Sequence, residues 1–193
     1  MPDDWFRKTT WTAQDSEHFF AQLMRARQPN RSQYLRIQAS HLADLRTREM
    51  AENAVTLLEI LFEKYPDQLE MAAAYLQKAE CLVFLGRIEE SLEYFKKAID
   101  FQRTFPNVGT QAPITFGLTV IKHKCELEYQ TAIQILDEFE DDITSFPVDR
   151  FHISSIRAVV AKEFGDNDKA RFFAREALTE AAASHSGFWK HPK

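Results

Sequence analysis

Glycine and proline are scarce, 5 and 7 among 193 residues. That leaves long stretches free to run as uninterrupted helix. Cysteine is scarcer still. Cys81 and Cys125 stand alone with no CxxC spacing, so the residues read as buried reduced thiols rather than a metal or disulfide pair. No run of about eighteen apolar residues exists, so no membrane span is expected. The start, MPDDWFRKTTW, places acids early and has no apolar signal core, so no export signal is visible and a cytoplasmic location is expected. Basic excess is missing as well: the net charge is −5, a poor match for nucleic acid or anionic membranes. There is no glycine-rich phosphate loop, GxSxG elbow or HExxH pair.

What is abundant is bulk, with 16 phenylalanines and a length sufficient for one domain with a real core. The most informative stretch is Tyr75–Ala98. Leu76, Ala79, Leu82 and Leu85 keep to one face of a helix, and after Gly86 the pattern resumes with Ile88, Leu92, Phe95 and Ala98. Ala79 and Ser91 are small where two helices must approach. The order Tyr75, Ala79, Gly86, Ser91, Phe95, Ala98 closely resembles a tetratricopeptide repeat. The small residues Ala54, Ser91, Ala132 and Ala170 recur at intervals of 37, 41 and 38. The resemblance implies an all-α, right-handed α-solenoid of antiparallel helix hairpins, with about nine helices in a single domain, 1–193.

In chain order, residues 1–30 hold Trp5, Phe6 and Trp11, expected to pack down, and a helix over about 13–28. Thr12 and Asp15 have capping-box spacing there, and Pro29 is expected to end the helix. Hairpins follow at 31–66, 68–104, 112–147 and 149–184, with a charged turn near Asp44–Arg48 and a second turn at Gly165. The loop Phe105–Pro113 is the best place for a break or bend. Residues 185–193 form a tail whose Phe188 and Trp189 are suited to cover the end of the stack.

Candidate chemistry is thin. His41 lies on an apolar face and reads as core, while His185 and His191 belong to the tail. The acidic run Asp137, Glu138, Glu140, Asp141, Asp142 lacks the glycine and ligand alternation of a calcium loop, and reads as a solvated outer face. Arg25, Arg27, Arg31 and Arg36 form the clearest basic cluster, to be paired locally, solvated, or set against an acidic partner. No catalytic residue, metal ligand or cofactor site is assigned.

The resemblance instead implies binding of another protein or peptide, with the first helix of each hairpin lining a concave groove. The residues so implied are Gln33, Arg36 and Ser40 in the first hairpin. In the second they are Ala73, Leu76, Glu80, Val83 and Phe84. The third contributes Ile121 and Lys124, and the fourth His152, Ser155, Val159, Lys162 and Glu163. Phe84 is open to two readings, an exposed anchor or part of the core. Relatives that bind chaperone carboxylates use a Lys, Asn and Arg clamp, and that set is missing. The stretches DDWFRKTTW and QYLRIQASHL are also similar to bacterial repeat proteins. Two other functions stand beside the adaptor reading: a self-associating regulatory or toxin-immunity-type protein, with homo-oligomerisation, and an enzyme using a site between helices.

Overall fold

The computed structural model describes residues 4–143 and 146–183. The expected cap of Phe188 and Trp189 falls outside them, as do His185 and His191. Regular structure among the described residues is helical throughout: α1 (Ala13–Arg25), α2 (Arg31–Ala43), α3 (Arg48–Lys64), α4 (Met71–Phe84), α5 (Ile88–Thr104), α6 (Ala112–Lys122), α7 (Tyr129–Glu138), α8 (Glu140–Ile143), α9 (Pro147–Glu163) and α10 (Asn167–Ala181), with two short 3₁₀ turns. None is long and apolar enough to cross a membrane. The chain divides into two compact units between Thr110 and Gln111, inside the Phe105–Pro113 loop.

The first unit opens with a non-helical segment, turned at Trp5 and Phe6, that is pinned to α1 and α2. Trp5 lies 5.2 Å from Phe19 and 5.0 Å from Tyr34, ring centre to ring centre, and Trp11 lies 5.4 Å from Phe19. Buried Gln38 binds this segment through its backbone: its amide oxygen accepts from Lys8 N–H at 2.9 Å, and its amide nitrogen donates to Lys8 C=O at 2.8 Å. Helix α1 begins with the capping box expected of Thr12 and Asp15. Asp15 N–H donates to Thr12 Oγ1, and Thr12 N–H donates to an Asp15 carboxylate oxygen. The second of these, with the Thr12 hydroxyl donating to the same carboxylate oxygen at 2.8 Å, holds the Asp15 carboxyl below its ordinary range.

The helix then stops at Arg25, three residues before the expected end. Ala26 is extended (φ −68, ψ 152). Arg31 satisfies the freed carbonyls, donating to Met24 O at 2.8 Å and Ala26 O at 3.2 Å.

Hairpins α2–α3 and α4–α5 carry the core, with Leu35, Leu42, Leu58, Leu61, Leu82 and Phe95 fully buried. Each such side chain contributes about 1.5–3 kcal/mol relative to exposure. Ala79 and Ser91 are both fully buried, as close helix approach requires. Gly86 sits at φ 78 and closes α4: Gly86 N–H donates to Val83 O, and Arg87 N–H to Leu82 O. This is a Schellman turn, in which glycine occupies the left-handed position without a Cβ clash. Cys81 is buried, and burial pushes its thiol up to about 12; Cys125, expected to be buried, is half-buried in the turn after α6, and neither cysteine is in a disulfide.

Lys78 was not distinguished in the sequence. Its side chain is only 2 % exposed, against Glu59 at 2.7 Å. It donates to Tyr94 Oη at 2.9 Å and lies 4.2 Å from the Tyr94 ring centre. Phe62 and Tyr75, stacked at 4.7 Å, complete an aromatic surround. Desolvation alone would lower the Lys78 pKa, but the bonds from Glu59 and Tyr94 outweigh it and hold the ammonium charged.

In the second unit α6, α7, α9 and α10 pack around Ile114, Phe116, Leu136, Ile153 and Ile156. The second helix of the expected 112–147 hairpin is broken at Phe139 into α7 and α8, which gives ten α-helical segments among the described residues where about nine helices were expected. Gly117, a weak helix former, has a packing reason to be there. A Cβ at that position would stand 2.8 Å from Ile156 Cδ1, so any side chain there would displace the end of Ile156 where α9 packs on α6. Arg157 of α9 binds Asp137 at 2.7 Å and Glu140 at 3.0 Å, and the whole acidic run is exposed. Gly165, at φ 80, closes α9 with the same bond pair as Gly86, from Gly165 N–H to Lys162 O and from Asp166 N–H to Ala161 O. Lys124 (φ 52) takes that role after α6, and Arg46 (φ 53) turns the chain after α2.

Candidate functional site

Two neighbouring stripes of side chains form the candidate surface of the first unit. Gln33, Arg36, Ser40 and Asp44 follow one another at three- and four-residue steps along α2 and its C-cap. Glu70, Ala73, Gln77, Glu80 and Phe84 do the same along α4 and its N-cap. The stripes are joined at one end. Arg36 binds Glu70 near the start of each. Near the far end, Glu80 responds electrostatically to Asp44 and Arg46. Its carboxyl is held above the ordinary range, chiefly by desolvation among the helices, which Arg46 opposes and Asp44 reinforces. Gln33 and Phe84 are exposed, the latter by 41 %, and Arg36, Ser40, Ala73, Leu76 and Val83 are half-buried.

Gln77 belongs to this surface and was missed. Its amide nitrogen is buried without a hydrogen-bond partner among the described residues, which is a cost unless a partner group reaches it. Its position, four residues after Ala73 and three before Glu80, was the available signal.

The basic cluster does not form one patch for phosphate. Arg36 is committed to Glu70, while Arg31 caps α1 and lies 5.6 Å from the Tyr65 ring centre.

The second unit gathers its expected residues differently. Ile121 is half-buried on α6, but Lys124 lies beyond the end of that helix, in the turn. On α9, His152 and Ser155 are half-buried. The Ser155 hydroxyl donates to Phe151 O at 2.7 Å, and burial lowers the His152 pKa against the opposing charge of Asp149. Glu163 is exposed at the last turn. Val159 and Lys162 line a groove of about 630 Å³ shared with α10, where Ala158, Asn167, Ala170, Arg171 and Ala174 complete the lining. Among the described residues no group of three His, Cys, Asp or Glu side chains is arranged to hold a metal ion.

Antiparallel hairpins with close small-residue contacts and left-handed turns at a regular interval define a helical repeat protein. Residues 72–105, the α4–α5 hairpin and its approach to the loop, match the family model of the tetratricopeptide repeat, and the chain carries that repeat there. Comparison with curated proteins and with solved structures finds no match.

Proposed function

We propose that the chain is a non-catalytic adaptor or scaffold that binds another protein or peptide on the α2–α4 surface, in the cytoplasm. The observation that carries this reading is Phe84. A large aromatic side chain remains 41 % exposed in the hairpin that matches the tetratricopeptide repeat. It ends a stripe that also holds an unpaired buried amide, Gln77. Aromatic anchors of this kind dominate binding energy at protein interfaces. Two cysteines outside any disulfide fit a reducing compartment.

The test places a photo-crosslinking phenylalanine analogue at position 84 and, as a control, at Leu127, which is 98 % exposed in the other unit. A partner captured at 84 and not at 127 is then purified and titrated. Equal capture at both positions, or unchanged affinity of that partner for Phe84→Ala, removes the assignment.

A second reading, self-association, rests on Phe172 and Leu178, exposed by 58 % and 70 % on α10. Sedimentation over a wide concentration range separates it from a monomeric adaptor.

A further inference from the structure

The outward face of α4 carries one charge, Glu80. Its neighbours one turn away are Leu76 and Gln77 before it and Val83 and Phe84 after it. Leu76, Gln77 and Val83 are half-buried, and Phe84 is exposed. The carboxylate therefore stands in an apolar surround broken only by an amide. It makes no hydrogen bond or ion pair among the described residues. Glu80 is open to water, yet the protein around it desolvates the carboxyl and holds its pKa above the ordinary range. An accessible group that is nonetheless desolvated lies in a hollow, where its charge has neither full hydration nor a counterion. The charges nearby do not supply one. Arg36 is bound to Glu70, and Arg87 to Glu90. Asp44, at the C-cap of α2, and Arg46, in the turn beyond it, act on Glu80 in opposite directions.

Given a protein-binding surface on α2 and α4, we propose that the segment it binds presents an arginine among apolar residues, with the guanidinium against the Glu80 carboxylate and beside the Phe84 ring. Guanidinium fits for three reasons. It is more weakly hydrated than an ammonium, so it loses less on entering a hollow flanked by Leu76 and Val83. Its planar fork offers a carboxylate two parallel N–H donors. Its face is attracted to an aromatic ring, and Phe84 stands one turn beyond Glu80 on the same side of the helix. The arginine gives Glu80 the counterion that the fold withholds, and its apolar neighbours cover the surround. An acidic segment would set like charge against a desolvated carboxylate, which excludes it. Phe84 anchors the partner, and Glu80 selects it.

The experiment probes the full chain with synthetic peptides whose flanking positions vary among apolar residues and whose central position is arginine, its neutral isostere citrulline, or glutamate. Affinities are read by fluorescence anisotropy, with helical circular dichroism as the check on folding. The wild type should bind the best arginine peptides about tenfold or more tighter than their citrulline twins. Glu80→Gln should erase that difference while keeping the weaker apolar binding, and Glu80→Lys should turn the preference towards glutamate. Three results overturn the proposal: no arginine peptide bound by the wild type; equal affinity for arginine and citrulline; or an arginine preference that Glu80→Gln leaves intact. Phe84→Ala separates this failure from that of the surface itself. If it weakens peptides whose central residue Glu80 does not sense, the binding surface stands and only the arginine is lost. If it too changes nothing, the surface reading falls as well.

Discussion

Lys78→Ala tests how a buried ammonium is tolerated in the α4–α5 repeat. The truncation removes three methylenes from a side chain that is 2 % exposed, worth about 0.8 kcal/mol each. It also leaves the Tyr94 hydroxyl without the donor now at 2.9 Å, at a further cost of up to about 1 kcal/mol. Glu59 is 55 % exposed and returns to water at little expense. The sum is a loss of about 3 kcal/mol. Lys78→Met keeps the stem and volume while discarding the charge and its desolvation, and should change stability by no more than about 1 kcal/mol.

The assay is urea unfolding at neutral pH in a Trp189→Phe background, where Trp5 and Trp11 of the first unit supply the emission. A pH series adds a signed check. The folded Lys78 pKa is raised, so its contribution is complete below the unfolded lysine value of about 10.4 and is lost as pH climbs through the folded value. The difference between wild type and Lys78→Met should therefore be flat through neutrality and move against the wild type only in strong alkali. Equal losses for Ala and Met would refute the stem-packing argument, and a wild-type advantage that grew with alkalinity would refute the electrostatic one.

The left-handed turns give a pair of opposite sign. Gly86→Val should cost about 1 kcal/mol or more, whereas Lys124→Gly relieves a strained φ of 52 and should gain roughly 0.5–1 kcal/mol; thermal melts of the two variants check this. Phe84→Ala should leave stability within about 0.5 kcal/mol, as exposed positions do, and weaken an identified partner by on the order of 2 kcal/mol, read by calorimetry. For Asp15, whose folded pKa is depressed by the capping box, the stabilising effect is present above the unfolded carboxylate value of about 3.9 and lost as pH falls through the folded one. The stability gap between wild type and Asp15→Asn, measured by denaturation across acid pH, should close at the acid end.

The hairpins were legible because their cause is local. Apolar spacing fixes which face is buried, and glycine at 86 and 165 marks a conformation that other residues resist. The turns at Arg46 and Lys124 use the same conformation without that marker, since there the surrounding hairpin over-determines the backbone. Lys78 was hidden because a lysine on a helix reads as solvated, and only tertiary placement brings Glu59, Phe62 and Tyr94 around it. The early end of α1 has the same origin: the carbonyl acceptors for Arg31 come from an earlier turn of chain. On the candidate surface, Phe84 carried its ambiguity openly. Gln77 could not be singled out until its amide was seen to lack a partner, because sequence gives position on a helix but not hydrogen-bond satisfaction.

Gln38 reads Lys8 only through its N–H and C=O. The clasp is blind to the side chain it holds. In a saturation library, position 8 should accept nearly every residue except proline, which has no N–H to give. Position 38 should accept almost none, because only a side-chain amide of that length offers both a donor and an acceptor to one peptide unit. The opposite tolerances of two residues that share a single contact would distinguish a backbone clasp from an ordinary side-chain pair without any further structure.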